Sequence, residues 1–410
     1  MSVDYNVQTT TQNTPGASIT AEMKAFYDKA LIRYAKPKLV HSQFGQARNI
    51  PANSGKTIEF RRFSPLPKAL KPLTEGVTPS GNSLNVTSVS ATVEQYGDYI
   101  TTSDLLNLTA VDDIIAETQN VLGDQAGRTL DTIVREKINA GTNVLYGNGK
   151  ASRGALVGGE DDYADNDYLN VATVKKAVSI LKRNNAAPFK DGHFVAIVHP
   201  DVANDLTSDP EWINIKSNTD PKDWYEGAIG CIHGVVFIES TEAKIFTSDP
   251  LESETGDGNL TVVEVDGNKI IIAEALTSAQ ASALANKKIN INGATLTIAS
   301  ATAGDAGEAY ITVSSNDSVP ESAQADTIIY PGGGSANGRD VYSTLFIGQN
   351  AYGVTSLEKG GLESIIKQKG SAGTSDPLDQ RSTIGWKATQ TAEILSNEFM
   401  VRVETTSSYR

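Results

Sequence analysis

Few side chains in this sequence could carry out covalent or metal chemistry. The chain has a single cysteine, Cys231, and four histidines, at positions 41, 193, 199 and 233. We expect no closed Cys/His zinc site from this set, since such a site gathers four ligands at one place. The short motifs of serine hydrolases, zinc proteases and phosphate-binding loops are also missing from the sequence. The sequence therefore predicts no catalytic residue, no cofactor and no metal, and we expect that the chain is not an enzyme.

The cysteine and one histidine lie close together in the sequence, as Cys231 and His233. They could form a nucleophile with its base, but the favoured interpretation is a buried thiol near a loop histidine. His199 precedes Pro200 after an apolar run. We interpret this second histidine as part of a turn at the end of a strand.

Four aspartates crowd one short segment, at positions 161, 162, 165 and 167. Carboxylates this close together could hold Ca²⁺ with the help of loop carbonyls, although their spacing is not that of an EF-hand. A solvated acidic loop is the favoured interpretation.

Charge is unevenly distributed along the chain, which has 410 residues and a formal net charge of −14. Residues 1–80 contain 11 Lys and Arg against 5 Asp and Glu, whereas residues 247–338 contain 3 against 12. A basic first segment and an acidic later one suit a subunit whose neighbours lie against its arms. Charge also varies along chains without any functional meaning, and this alternative stays open.

The compartment can be predicted from what the sequence lacks. One cysteine allows no intrachain disulfide, which suits a reducing compartment. Residues 1–20 have neither the basic start nor the apolar core of a signal peptide, and the apolar runs are too short to cross a bilayer. We expect a soluble protein that is made in the cytoplasm and has no membrane partner.

Residues 56–104 predict a long two-stranded β-arm. Ile58 and Phe60 alternate with Thr57 and Glu59, as in a half-buried strand. A tip rich in proline and glycine follows, and the apolar residues of the return strand are Leu84, Val86, Val89, Ala91 and Val93. The change of alternation between positions 86 and 89 predicts a β-bulge. Because an isolated two-stranded ribbon is at best marginally stable in water, we expect this arm to lie on another copy of the chain.

A long amphipathic helix is predicted directly after the arm. Asp112 and Asp113 would open it, and it runs without proline to about Asn139. About 28 residues would give a helix of roughly 42 Å. Its apolar stripe includes Val121, Leu122, Ala126, Leu130, Val134 and Ile138. Gly123 and Gly127 would weaken an isolated helix, so they indicate close packing against a sheet.

The pattern elsewhere is typical of a compact α/β domain. An amphipathic helix is predicted from Val171, with Lys175, Lys182 and Arg183 on its other face. Residues 193–199 and 235–239 predict strands, with a short helix over 200–206 between them. Near the N-terminus, Ser18 could cap a helix that runs to about position 35. Residues 384–388 and 399–403 predict two strands that close the fold.

The composition changes over residues 247–338, where Ala, Ser, Thr, Asn and Gly dominate and Tyr310 and Tyr330 are the only aromatic residues. Strand patterns recur at 260–265, 269–273, 289–299, 310–314 and 327–330. Asp266-Gly267 and Asn292-Gly293 are hairpin signals. The segment ends in Pro-Gly-Gly-Gly (331–334), which we interpret as a flexible exit. These features predict an inserted, mostly β domain.

Several short strings together resemble those of one protein family. They are Phe26-Tyr-Asp-Lys29, Leu39-Val40, Gly55-Lys-Thr-Ile-Glu-Phe-Arg-Arg62, Leu73-Thr-Glu-Gly76, Val198-His-Pro-Asp201 and Gly230-Cys-Ile-His-Gly-Val235. In combination they resemble the major capsid proteins of tailed bacteriophages, in particular the branch named after the coliphage N-four. The resemblance covers about 1–246 and 339–410, and each string alone has little specificity.

The resemblance implies the HK-ninety-seven-type capsid fold, an α+β fold with an inserted mostly-β domain. It implies an N-terminal arm (1–44), an extended β-loop (45–100), a peripheral domain with a long spine helix (101–168 and 365–410) and an axial α/β domain (169–246 and 339–364). We expect the insertion (247–338) to lie on the outer surface, since its negative charge would be repelled by the phosphates of packaged DNA. The alternative, that it folds down as an internal brace within its own subunit, stays open.

The implied function is that of a shell subunit. The chain would assemble with itself as homo-hexamers and homo-pentamers into an icosahedral shell around packaged double-stranded DNA, which would contact the inner face without sequence specificity. Portal and scaffolding proteins would be further partners, and a decoration protein is left open. Assembly would take place in the host cytoplasm. The alternatives are an encapsulin-like nanocompartment shell, an α/β enzyme and a secreted carbohydrate-binding β-protein.

Contacts between subunits are predicted at apolar positions of the N-terminal arm and at basic positions of the β-arm. The candidates are Phe26, Leu31, Arg33, Tyr34, Arg61, Arg62, Lys68 and Lys71. In the N-terminal arm, the apolar residues Phe26, Leu31 and Tyr34 are chosen because they have no clear partner in their own chain. For the basic residues, salt bridges across subunits and exposed charge that protects a strand edge are both open.

Overall fold

A computed structural model describes most of the chain. The described residues are 31, 35, 39–51, 53–63, 66, 68–70, 72–73, 75–76, 78, 81–109, 114–158, 167–189, 192–217, 230–248, 250–251, 259–335, 337–358, 360–371 and 376–409. They fall into two compact units, one within residues 1–137 and 352–395 and the other within 138–351 and 396–410.

The described residues form twenty strands and six α-helices. The strands are β1 (Gln46–Ile50), β2 (Thr57–Phe63), β3 (Val86–Thr92), β4 (Glu94–Ser103), β5 (Val144–Tyr146), β6 (Phe194–Val198), β7 (Gly230–Ile232), β8 (Val235–Glu239), β9 (Ile245–Phe246), β10 (Leu260–Asp266), β11 (Lys269–Ile272), β12 (Lys288–Ile291), β13 (Ala294–Thr302), β14 (Tyr310–Val313), β15 (Ile328–Pro331), β16 (Val341–Ile347), β17 (Tyr352–Leu357), β18 (Glu363–Lys367), β19 (Arg381–Ile394) and β20 (Met400–Thr405). The helices are α1 (Asp104–Thr109), α2 (Ile114–Asn139), α3 (Val171–Arg183), α4 (Pro200–Ser208), α5 (Pro210–Ser217) and α6 (Ser278–Leu284).

The first unit is a sheet covered by the long helix. β19 pairs antiparallel with β4, β18 and β17, and β1 runs parallel to β17. Leu122, Ala126 and Leu130 of α2 pack against Ile384 and Trp386 of β19. The predicted spine helix and its packing on a sheet are therefore confirmed, with Gly123 and Gly127 both buried.

One detail of the predicted helix differs. Val121 was expected in the apolar stripe, but it is exposed, because the helix turns this position away from β19. Asp112 and Asp113 lie outside the described residues.

The β-arm is a separate two-stranded sheet of β2 and β3. Its register runs without interruption from Thr57 opposite Thr92 to Phe63 opposite Val86. The predicted β-bulge is therefore wrong. Val86 lies on the exposed part of the ribbon, so no buried face forces its side chain into the alternation of Val89 and Ala91.

The second unit contains a seven-stranded sheet in the order β5-β20-β16-β6-β8-β7, with β9 also paired to β16. β6 and β16 are buried along their whole length. Helices α3, α4 and α5 share one core with the sheet, in which Leu181, Leu206 and Trp212 meet Phe237 and Phe346. The α/β character predicted for this part of the chain is confirmed.

The two predicted closing strands do not pair with each other. The first lies in β19 of the first unit, and the second lies in β20, which pairs with β16 and β5 in the second unit. The sequence prediction grouped both with the spine helix. Alternation identifies a half-buried strand but carries no information about which strand it will pair with.

Residues 260–331 form a closed barrel in the order β10-β11-β14-β13-β12-β15. Its core is aliphatic and includes Leu260, Ile270, Ile289, Ile311 and Ile329. The run 289–299 is two strands rather than one, joined at Asn292 and Gly293, both with positive φ as a tight hairpin requires. Helix α6, which begins with a capping box of Thr277 and Gln280, was not predicted.

None of the described helices has both the length and the apolar character that crossing a membrane would require.

Candidate assembly surfaces

The base of the β-arm is anchored within its own unit. Phe60 is 3% exposed and packs over Gly353 of β17. A Cβ atom at Gly353 would lie 2.6 Å from the ring of Phe60, so only glycine gives the ring this space. The guanidinium of Arg48 lies 5.6 Å from the centre of the same ring, within the range of a cation–π contact.

The outer half of the arm has no such cover among the described residues. Leu70 is 82% exposed and Phe63 is 59% exposed. The other large apolar side chains that the arm exposes are Leu66, Leu73, Leu84 and Val86. Clustered apolar side chains on a soluble subunit mark a site where another molecule binds. We refer to these six residues as the arm-tip surface.

The predicted contact residues are only partly brought to this surface. Arg61 and Lys68 are exposed on the arm, whereas Arg62 is half-buried and has a partner in its own chain. Leu31 is 1% exposed and packs with Leu122 and Trp386. Its supposed lack of an intrachain partner is therefore wrong. Phe26, Arg33, Tyr34 and Lys71 lie outside the described residues.

A buried cluster of hydrogen bonds, which we did not predict from the sequence, holds the segment before β1. The two carboxylate oxygens of Asp131 on α2 accept from the backbone N–H of His41 at 2.8 Å and contact its Nδ1 at 2.6 Å. The Tyr352 hydroxyl donates to the carbonyl of His41. Burial raises the pKa of Tyr352 far above its usual range, and the charge of Asp131 adds to the effect. Residue 41 is thus fixed to α2 and β17.

A buried amide of the barrel contacts the rest of the second unit. Asn290 of β12 donates to the carbonyl of Gly154 at 2.9 Å and accepts from the N–H of Gly293 at 2.9 Å. A Cβ at Gly154 would lie 2.7 Å from the Asn290 amide nitrogen and 2.8 Å from the Thr295 hydroxyl. The close approach of the 153–155 turn to the barrel therefore depends on glycine.

The neck of the insertion is tightly packed. A Cβ on Gly333 would overlap the carbonyl oxygen of Thr247, and one on Gly334 would overlap that of Arg339. Ser248 N–H donates to Asp340 at 3.0 Å across the same neck. The predicted flexible exit is therefore wrong. These glycines permit close backbone packing, a role that composition does not distinguish from flexibility.

A buried ion network supports the turn beneath the barrel. Arg153 donates to both carboxylate oxygens of Glu404 at 2.7 and 2.8 Å, and its guanidinium stacks 3.3 Å from the centre of the Phe246 ring. Arg402 lies 2.8 Å from the same carboxylate. Glu404 is fully buried, so paired cations are what make its charge tolerable there.

The residues considered for chemistry lie in separate places. Cys231 lies on the edge strand β7 and is exposed rather than buried, and its Sγ lies 3.5 Å from Nδ1 of His193. His199 caps α4 by accepting from Asp201 N–H, and burial lowers its pKa although Asp201 opposes this. The turn predicted at His199 is confirmed.

The acidic segment also differs from the predicted solvated loop at the position that the structure describes. Asp167 is fully buried and accepts from the N–H of Val157 at 2.6 Å, so it is not part of a solvated loop. Burial raises its pKa, while the Val157 N–H and Lys150 lower it. The other three aspartates lie outside the described residues, and the described part of the chain contains no group of three or more potential metal ligands.

A family model identifies the family of this chain, and solved structures show its fold. A family model described as phage capsid protein matches residues 45–308, more than half of the chain. No curated protein sequence matches the chain. The structure is similar to the capsid asymmetric unit of cyanophage Pam1, with 12% identity, a TM-score of 0.54 and coverage of 100% of this chain and 99% of that one.

Two further capsids show the same fold. The capsid structure of cyanophage P-SCSP1u matches with 10% identity, a TM-score of 0.51 and coverage of 90% and 89% of the two chains. The acidic stable capsid of Helicobacter pylori bacteriophage KHP30 matches with 12% identity, a TM-score of 0.50 and coverage of 88% and 87%. The α+β fold with its inserted β domain is the HK-ninety-seven-type capsid fold. The chain therefore belongs to the phage capsid protein family and is a structural protein of the bacteriophage capsid.

Proposed function

We propose that this chain is the major capsid protein of a tailed bacteriophage of the N-four-like branch. It assembles as hexamers and pentamers into an icosahedral shell that encloses packaged double-stranded DNA. The observation that carries the proposal is the β-arm, whose base is anchored by Phe60 while its arm-tip surface is exposed. Such an arrangement holds a ribbon in place and leaves its far end for another subunit.

The energetics of the arm suit assembly. Fully burying one large apolar side chain is worth about 1.5–3 kcal/mol, and a single tip offers six such side chains to a neighbour. Association costs several kcal/mol in lost freedom, so one contact is weak. In a closed shell each subunit both gives and receives such contacts, and the effective concentration of partners multiplies their strength.

The remaining parts of the chain take the roles that their position along the sequence suggests. Residues 1–44 serve as the N-terminal arm, 45–100 as the extended loop, 101–168 and 365–410 as the peripheral domain, and 169–246 and 339–364 as the axial domain. The insertion lies on the outer surface, where its 12 acidic against 3 basic residues avoid the DNA. It also braces its own subunit, a role favoured by the Asn290 contact with Gly154.

Portal and scaffolding proteins act with the chain during assembly in the host cytoplasm, and a decoration protein is an additional candidate partner. Exposed Arg61 and Lys68 form salt bridges with carboxylates of neighbouring subunits.

The test is electron microscopy of the expressed protein with an assay for nucleic acid in the particles. Uniform closed shells, tubes or ring-shaped capsomers support the proposal. A chain that stays monomeric at high concentration, with its arm intact, contradicts it. Shells that carry an enzyme instead of DNA when isolated from the producing cell indicate a nanocompartment.

A further inference from the structure

Helix α3 lies in a stretch of basic residues within an acidic chain. Residues 168–190 contain four lysines and one arginine but no aspartate or glutamate, whereas the whole chain has a net charge of −14. Four of these cations, Lys175, Lys176, Lys182 and Arg183, lie on α3 and are exposed. We refer to them as the α3 cationic face.

Helical geometry gathers these four side chains into one surface. At about 100° per residue, they span an arc of roughly 120°. The exposed residues between them are small, Ala172 and Ser179 among them. The opposite side of the helix, with Val174, Val178 and Leu181, is buried against the sheet. The helix is therefore held rigidly by its buried side. Because the residues between the cations are small, a partner can approach the helix closely.

Among the described residues, ion pairing neutralises only part of this face. Lys175 pairs with Glu211 of α5. The described residues place no carboxylate within salt-bridge distance of Lys176, Lys182 or Arg183. Cations in the last turn stabilise the helix dipole, which accounts for Lys182 and Arg183. It does not account for Lys176, which lies in the second turn.

The spacing of the charges fits the backbone of a nucleic acid duplex. The pair at 175 and 176 and the pair at 182 and 183 are seven residues apart, about 10 Å along the helix. The major groove of B-form DNA is about 12 Å wide. One pair can therefore reach phosphates of the strand on one side of the groove, and the other pair can reach phosphates of the strand on the other side. Lysine and arginine without base-reading neighbours give binding that is independent of sequence.

We infer that the α3 cationic face is the surface through which this subunit contacts the phosphates of double-stranded DNA. The inference rests on the proposed function, in which the shell encloses DNA. It adds that the α3 side of the axial domain faces the interior of the shell. A competing occupant of similar charge is the acidic inserted domain of a second copy, and the test separates the two.

The experiment uses the full-length chain kept below its assembly concentration. Binding to a short fluorescent DNA duplex is measured as a function of salt for the wild type, for K176Q/K182Q/R183Q and for a control, K367Q/K369Q/K387Q. The control removes three exposed lysines of the first unit. Glutamine keeps a helix propensity close to that of lysine and arginine, and circular dichroism checks that both variants are folded.

Removing three phosphate contacts should make the slope of log K against log salt shallower by about 2–3. Between about 50 and 200 mM salt the wild type should then lose about 40-fold more affinity than the α3 variant. The control should behave like the wild type. Equal slopes for the wild type and the α3 variant would overturn the inference.

Two further readings keep the outcomes apart. If the α3 variant binds DNA normally but loses a salt-sensitive self-association in sedimentation, the occupant is a second copy, and the inference is wrong. Electron microscopy of the same samples at high concentration tests shell formation independently. Normal shells with equal DNA slopes would leave the proposed function standing and remove only the role of α3.

Discussion

The β-arm and the inserted barrel are two β regions that solve the problem of strand edges in opposite ways. The barrel closes its six strands on one another and fills the centre with aliphatic side chains. The arm pairs two strands only with each other and leaves large apolar side chains at its tip in contact with solvent. A closed barrel has no edge to offer, so its stability is internal. The arm depends on a partner for the surface that it lacks.

This difference separates folding from assembly within one chain. Substitutions in the barrel should act mainly on the stability of the subunit, whereas substitutions at the arm tip should act mainly on the lattice. Each of the following changes tests one side of that comparison.

The largest expected effect is on assembly. Replacing Phe63 and Val86 by serine should abolish shells while the unfolding temperature of the subunit stays within about 2 °C, since both side chains are exposed in the free chain. Electron microscopy and calorimetry measure the two quantities. Thr87→Ser, on the same ribbon, is the matched control and should still assemble. Normal shells from the double variant would show that the arm tip is not an interface.

The barrel core should give the largest effect on folding. Ile289→Ala removes a fully buried side chain and should lower the free energy of unfolding of the barrel by about 2–5 kcal/mol. Val263→Ala, at a barrel position that is 41% exposed, should cost far less. Denaturant unfolding monitored by hydrogen exchange would resolve the barrel from the rest. Equal losses for the two variants would mean that the barrel is not independently packed.

The neck of the insertion is expected to be intolerant of a single methyl group. Gly333→Ala places its Cβ against the Thr247 carbonyl and should cost about 1–3 kcal/mol. Gly361→Ala adds the same methyl group where no atom lies within 4 Å and should be close to neutral. Thermal unfolding compares them. A neutral Gly333→Ala would indicate that the neck is loose after all.

The smallest change in folding is expected at the arm charge. Arg61→Glu should alter the free energy of unfolding by no more than about 1 kcal/mol, because the side chain is exposed. If it pairs across subunits, the same change should raise the concentration needed for assembly, and high salt should weaken wild-type assembly in the same direction. Light scattering measures both. Loss of subunit stability with unchanged assembly would place Arg61 in an intrachain role.

Local patterns predicted much of the fold. The glycine-containing turns at Gly267 and Asn292 located the barrel hairpins, since tight hairpins need residues with positive φ. The three-four spacing of Leu122, Ala126 and Leu130 located the spine helix and its buried side. Each of these signals is contained within a few residues of sequence.

Contacts between residues that are far apart in the sequence could not be predicted in this way. His41 and Asp131 are 90 residues apart, and Arg153 and Glu404 are 251 residues apart. Nothing near any of these residues indicates its partner. Leu31 was assigned to a subunit interface for the same reason, because an apolar helix position does not specify which helix or sheet will cover it. The exposed arm tip was more predictable, since a ribbon of two strands is incomplete in any fold.

The packed neck also determines how replaceable the barrel is. The incoming and outgoing segments touch at Thr247 and Gly333, so the two ends of the insertion are close together where they join β9 and β16. Any domain whose own termini lie side by side could be joined at this point without stretching the sheet. Its attachment would close only a short loop, which costs little conformational entropy. An unrelated folded domain could therefore be inserted at this position and displayed on each subunit.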